Sequence, residues 1–431
     1  MAVRFGTDGI RGRAYDEVSV DLAYRLGRAV AAVFDLPVVV GYDTRESSPV
    51  LATAVLAGLV DGEAAVTDLG VIPTPGVAVV ARARGSVGVV VSASHNPYFD
   101  NGLKVLGPGG SKLDHVTESV LAAALEAAAP APADLERHVT VDEAAQGLYV
   151  DLLRALVPED FSSLHVVLDC ANGAASAAAP ALLRASGARV DVIHDAPNGT
   201  NINEHCGSTH VEDLVARVRE LGADVGLAFD GDADRLIAVD ATGAVRDGDD
   251  LMVLFALDLA RRRALGGGVV VTTMSNLGLR RALGEASLEV VETDVGDRNV
   301  LLALEERQWC FGGEQSGHLI FCELAPTGDG LLTGMLLLDL IVRRGPLAEQ
   351  ANAAWRRVPQ SLVNVAREDY DDAVVARLSE ELVARYALAD EDWRLVVRPS
   401  GTEPVVRVMV EALEAGFVDE FTSALRAAFV A

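Results

Sequence analysis

Short runs of β-branched apolar residues recur along this 431-residue chain, each closed abruptly by turn chemistry. They are VVVG at 38–41, VGVVV at 87–91, HVVLDC at 165–170, VGLAF at 225–229 and GVVVTT at 268–273. Runs this short that are apolar throughout read as strands covered on both faces. Between them lie stretches of helical periodicity, at 21–34, 49–59, 144–156, 211–221, 277–283 and 330–343. Such alternation specifies layers of helix packed on sheet, an α/β fold. No run of 18 apolar residues is free of charge, so no transmembrane helix is expected.

At this length one core does not suffice. The pattern predicts three similar α/β domains with mixed sheets, at 1–138, 139–242 and 243–355. A smaller α+β domain follows at 356–431, and all four surround a central cleft. The Ala/Pro-rich AAALEAAAPAPAD at 122–134 reads as the first connector. The start, MAVRFGTDGIRG, lacks the apolar segment of a signal peptide. Cys170, Cys206, Cys310 and Cys322 show neither CxxC spacing nor a His spacing typical of zinc, so a reduced, cytoplasmic setting is expected. A net charge of −27 argues against nucleic acid or an anionic membrane as partner. An anionic substrate would have to be held by local arginines and helix N-termini.

Four loops carry chemistry. In VVVSASHNPYFDNGLK, 89–104, the strand ends at Val91. Asn96-Pro97 and Asn101-Gly102 both favour turns, which places Ser94 on a loop at a strand end, where open α/β sheets bind ligands. Ser94 there could be a nucleophile or the carrier of a phosphoryl group. Lys104 and Lys112, the only lysines beside 34 arginines, both lie just downstream; unlike arginine, a lysine amine can give up its proton. In DGDADR, Asp230, Asp232 and Asp234 alternate between two apolar strands, and an extended loop would aim all three carboxylates one way. Converging carboxylates require a cation, and hard oxygen donors select Mg²⁺ or Ca²⁺. Arg235 stands ready for a phosphate.

FGGEQSGH, 311–318, sets Glu314 and Ser316 two apart for vicinal sugar hydroxyls, with His318 as a proton shuttle. RPSGTEP, 398–404, reads as a phosphate cradle: Arg398 for a forked contact, the Ser400 and Thr402 hydroxyls, and backbone N–H groups around Gly401, with Arg407 adding charge. Each loop alone is also explained by an ordinary turn.

In this order, with FGTDGIRG at 5–12, NINEHCGSTH at 201–210, TMSNLGL at 273–279 and TGDGLLT at 327–333, the chain resembles the α-D-phosphohexomutase superfamily along essentially its whole length. Its details are similar to the branch acting on glucosamine phosphates. That resemblance implies an isomerase that interconverts glucosamine 6-phosphate and glucosamine 1-phosphate, a step towards amino-sugar and cell-wall precursors. It implies a phosphoserine at Ser94. Mg²⁺ would be held by Asp230, Asp232, Asp234 and a phosphate oxygen on Ser94. It further implies Lys104, Arg11 and His318 as proton-transfer residues, a hexosamine or hexose 1,6-bisphosphate as intermediate and activator, and a homodimer.

The segment TDVGDRNV, 293–300, departs from that branch in Asn299, where an aromatic is typical, and in Asp294; Ala233 replaces a glycine in the metal loop. Two alternatives stay open: the same chemistry on mannose or glucose phosphates, and a non-catalytic sugar-phosphate-binding protein.

Overall fold

The structure, a computed structural model, describes residues 9–400 and 404–429. The expectations for Gly401 and Thr402 lie outside the described residues. Four sheets form among those described. In the first, Val38–Tyr42 lies parallel to Val66–Val71 and to Val87–Val91. Asp100–Leu106 turns back antiparallel to Val87–Val91, and Ile10–Arg13 pairs antiparallel with it at the edge. Thr140–Val141 adds to the opposite edge. Val38–Tyr42 and Val87–Val91 are buried along nearly their whole length, as their unbroken apolar sequence requires.

The second sheet has the order Val245–Arg246, Leu236–Asp240, Val225–Phe229, His165–Asp169, Arg189–Ile193. The third runs Glu289–Thr293, Gly268–Thr272, Phe311–Gly313, Leu319–Phe321. Helices cover these sheets, giving three α/β domains with mixed sheets. The fourth domain is an antiparallel sheet of Gln360–Ala366, Val405–Ala412 and Trp393–Pro399, packed on helices Asp372–Tyr386 and Ala415–Phe429.

One apolar cluster runs from Val39 and Val77 through Leu168 and Phe229 to Phe311 and Leu338, joining the first three domains. The fourth domain keeps its own core around Val408, Phe417 and Phe421. Its link to the third is polar: Asn276 donates to Val358 O and to Glu411 Oε1, both at 3.0 Å, and Leu277 N donates to the same carboxylate. A separate core joined by polar contacts marks the fourth domain as its own packing unit.

Two local expectations are corrected. Asn101-Gly102 forms no turn but lies inside the strand Asp100–Leu106. Asn101 is buried there, its amide donating to Ser47 Oγ and Ser48 Oγ, and a Cβ on Gly102 would strike the Ser92 carbonyl at 2.4 Å. The metal loop is a tight turn rather than extended: Ala233 N donates to Asp230 O at 3.0 Å, and Ala233 takes a left-handed φ of 59°. The first helix, Val20–Val33, is capped by Ser19, which frees Asp21 to accept Ala131 N of the Ala/Pro-rich connector.

No helix among the described residues is long and apolar enough to cross a membrane.

Candidate active site

Ser94 sits at the carboxyl end of Val87–Val91, fully buried, with a left-handed φ of 53°. Serine adopts that conformation only where its surroundings impose it. Here they do. Buried Arg45 donates from Nη2 to Ser94 O and Asn96 O, both at 2.9 Å, and from Nη1 to Asp100 O and Pro97 O. Its Nε binds Asp43 Oδ2 at 2.8 Å, and that carboxylate also accepts Ser92 Oγ and Ser48 Oγ, each at 2.6 Å. From the second domain Asn203 donates to Ser94 O at 2.9 Å and to Asn96 O at 3.1 Å. Two domains therefore hold one carbonyl.

The Ser94 hydroxyl donates to Asp230 Oδ2 at 2.6 Å. Asp230, Asp232 and Asp234 are all buried, with one oxygen of each within 4.8 Å of the others. Burial, then Asp234 and Asp232, push the Asp230 carboxyl well above the usual range. Asp234 goes the other way: burial opposes its charge, but His318, Lys104 and Arg235 outweigh it and hold it well below. Lys104, buried on Asp100–Leu106, places Nζ 2.9 Å from Asp232 Oδ2, which also accepts the Thr74 hydroxyl at 2.6 Å. Asp232 Oδ1 and Asp234 Oδ1 are buried with no hydrogen-bond donor. Unsatisfied anionic oxygens in this number fit a hard divalent cation such as Mg²⁺.

The other residues singled out from sequence gather round this cluster. Arg11 lies on Ile10–Arg13, in register with Gly102. Arg235 N donates to Asp230 Oδ1 at 3.2 Å. His318 Nδ1 stands 3.5 Å from Asp234 Oδ2; burial disfavours its charge, but Asp234 and Asp297 raise it to about 9. His95, 3.4 Å from the Ser94 hydroxyl, is pushed the opposite way to about 4 by burial, Arg235 and Arg11, and stays neutral. Glu314 is buried and accepts Gly296 N at 3.0 Å, while the Ser316 hydroxyl oxygen is buried without a hydrogen-bond partner.

In the fourth domain Arg398 and Arg407 face one another across the sheet, and Ser400 is buried at the strand end. Burial and the Arg407 charge disfavour the Arg398 cation, while Glu314 and Asp294 favour it. Opposed guanidiniums are costly unless an anion lies between them.

Sequence reasoning missed Arg45, Asn203, Thr74 and Asp297. Asp297 pairs with Lys112, and its neighbour Arg298 donates to Glu118 at 2.8 Å and to Leu113 O at 2.6 Å, tying the third domain to the first. The scarcity of lysine marked Lys104 and Lys112 alike; Lys112 serves this interdomain contact.

Profiles described as phosphoglucomutase/phosphomannomutase alpha/beta/alpha domains I, II and III match residues 2–131, 147–243 and 247–358, and the C-terminal domain matches 362–427. The chain belongs to the phosphoglucomutase/phosphomannomutase family.

Full-length relatives of this phosphohexomutase include the phosphoglucosamine mutases of Moorella thermoacetica, 48% identical over 426 residues, and Desulforamulus reducens, 46% over 425, each alignment covering 95% of both chains. Among solved structures, a phosphoglucomutase/phosphomannomutase family protein from Burkholderia thailandensis superimposes with a TM-score of 0.79 at 26% identity, over 98% of this chain and 97% of that one. An Aspergillus fumigatus N-acetylphosphoglucosamine mutase, solved with GlcNAc-6P and magnesium, shares the fold at a TM-score of 0.64 and 20% identity, over 100% of this chain and 96% of its own. In this phosphohexomutase the Asn299 amide donates to Val295 O at 3.1 Å, closing the loop that presents Asp294.

Proposed function

We propose that this phosphohexomutase interconverts glucosamine 6-phosphate and glucosamine 1-phosphate through phosphorylated Ser94 and a bound 1,6-bisphosphate. The observation that carries the chemistry is the Ser94 hydroxyl, 2.6 Å from Asp230 inside a buried three-carboxylate cluster. The amino-sugar assignment rests on the full-length relatives named phosphoglucosamine mutase.

Phosphoryl transfer needs in-line positioning and charge neutralisation more than covalent chemistry from side chains. Arg45 and Asn203 fix the Ser94 backbone, so the phosphoryl group is presented at one place. Asp230, Asp232 and Asp234, with a phosphate oxygen on Ser94, would hold Mg²⁺. When bound, that ion would offset the charge on the transferring group. Lys104 and Arg11 lie on strands beside the serine loop, where they assist proton transfer at the attacking sugar hydroxyl. His318, beside Asp234, is the other candidate for that proton transfer.

Glu314 and Ser316 hold sugar hydroxyls, and Arg235 takes a second phosphate oxygen. Arg398, Ser400 and Arg407, together with Gly401 and Thr402, hold the phosphate that is not reacting. The bisphosphate must turn over between its two transfers, so one cradle serves both orientations. Closure of the fourth domain excludes water, which would otherwise hydrolyse the phosphoserine.

The test is turnover of glucosamine 6-phosphate against glucose and mannose phosphates, with Mg²⁺ and a trace of hexose 1,6-bisphosphate. A strong preference for the amino sugar is expected. Preference for a neutral hexose would move the enzyme to another branch of the family.

A further inference from the structure

The loop 194–210 of the second domain supplies no group to the transfer, yet it carries Asn203 up to the Ser94 carbonyl. Beneath it, the carboxyl ends of His165–Asp169 and Arg189–Ile193 bring Asp169, His194 and Cys206 together. A carboxylate oxygen, a ring nitrogen and the thiol sulfur all lie within 4.8 Å of one another. Asp169 and Cys206 are buried and His194 is partly so.

Each of the three has an outer partner. Asp213 Oδ2 lies 3.3 Å from His194 Nε2. Nδ1 is left facing the cluster, 3.0 Å from Asp169 Oδ2, buried and with no in-line hydrogen bond. Asn172 Nδ2 donates to Cys206 Sγ at 3.8 Å. Backbone N–H groups of Ala171 and Gly207 donate to the two Asp169 oxygens, each at 2.9 Å.

A histidine oriented by a carboxylate on its far nitrogen, beside ligands that are themselves hydrogen-bonded, is how proteins support a metal. A plain His194–Asp169 ion pair accounts for two of the residues and leaves the thiol unexplained.

We propose that Asp169, His194 and Cys206 form a second metal site, for a thiolate-binding divalent cation of the Zn²⁺ class. Mixed N, O and S donors select such an ion over Mg²⁺. A tetrahedral ion draws its donors to about 3.5 Å apart, completes its shell with water, and releases the thiol proton to solvent. Because Asn203 N donates to Ala171 O at 2.9 Å, the ion fastens the loop that holds the serine loop from the second domain. Sequence spacing concealed the site, since its ligands come from three separate turns.

The test uses the full-length protein, stripped with chelator, returned to excess Mg²⁺ and titrated with Co²⁺. One equivalent should give a thiolate-to-cobalt charge-transfer band that Zn²⁺ abolishes; the Asp230 cluster holds no sulfur and cannot give it. Cys206→Ser should lose the band. Asp213→Asn should keep the band but weaken Zn²⁺ binding about 10–100-fold. Absence of the band in folded wild-type protein, or its persistence in Cys206→Ser, overturns the proposal. If Cys206→Ser does not fold, unchanged Zn²⁺ affinity in Asp213→Asn overturns it.

Discussion

Arg45 is buried whole beneath Ser94 and donates to its carbonyl at 2.9 Å, so the left-handed serine is held from below by a guanidinium that never meets solvent. Removing one partner of a buried ion pair leaves the other uncompensated, at a cost of about 3–5 kcal/mol. Arg45→Ala, which orphans Asp43 and the carbonyls of the serine loop, should lose stability on that scale in denaturant titration. A loss below about 1 kcal/mol would show the clamp to be incidental.

Ser94→Ala should abolish turnover while leaving the unfolding midpoint within a few degrees of the parent, because only one hydroxyl and its hydrogen bond to Asp230 are lost. Steady-state assay beside thermal unfolding checks both halves. Retained turnover would overturn the phosphoserine assignment.

Asp230 is costly to keep charged without a cation. Asp230→Asn should therefore raise the unfolding midpoint of chelated protein at pH 8, while eliminating activity in Mg²⁺. A lower midpoint would mean that Asp230 does not carry the repulsion assigned to it.

How much of this was legible beforehand follows from how local each signal is. The strand runs, the helix between 21 and 34 and the three aspartates of the metal loop are sequence-local, and they could be read directly. Arg45 is not: its partners lie about fifty residues away, and nothing around YDTRES distinguishes it from the other arginines. Asn101-Gly102 was misread because turn propensity is a weak prior. A buried amide with two serine acceptors overrode it. Asn203 and the Asp169–His194–Cys206 cluster depend on tertiary convergence that no spacing rule encodes.

Asp329, from the third domain, accepts the hydroxyl of Tyr149 on the second at 2.9 Å, and burial raises its carboxyl to about 6. The native state holds that proton more tightly than the unfolded chain. The resulting stability is complete below about pH 4 and is lost as pH rises through 6, a change on the order of 3 kcal/mol. Asp329→Asn should remove this dependence, so the variant gains on the parent between pH 5 and pH 7 in denaturant titrations. A gap that stays constant with pH would contradict the assignment.

Arg398→Ala should raise KM about tenfold or more in both directions of the reaction, because one cradle holds either phosphate. Stability should hold or improve, since a cross-strand like-charge contact with Arg407 is relieved. An effect on one direction only would mean that the two phosphates are held at different places.

The most direct test of the account follows the phosphoryl group itself. Enzyme labelled from a radiolabelled hexose 1,6-bisphosphate would be digested and mapped, then chased with unlabelled glucosamine 6-phosphate. The account predicts label on Ser94 alone, leaving it for the sugar at a rate no slower than turnover. Label on another residue, or its release as inorganic phosphate in place of transfer, would contradict it.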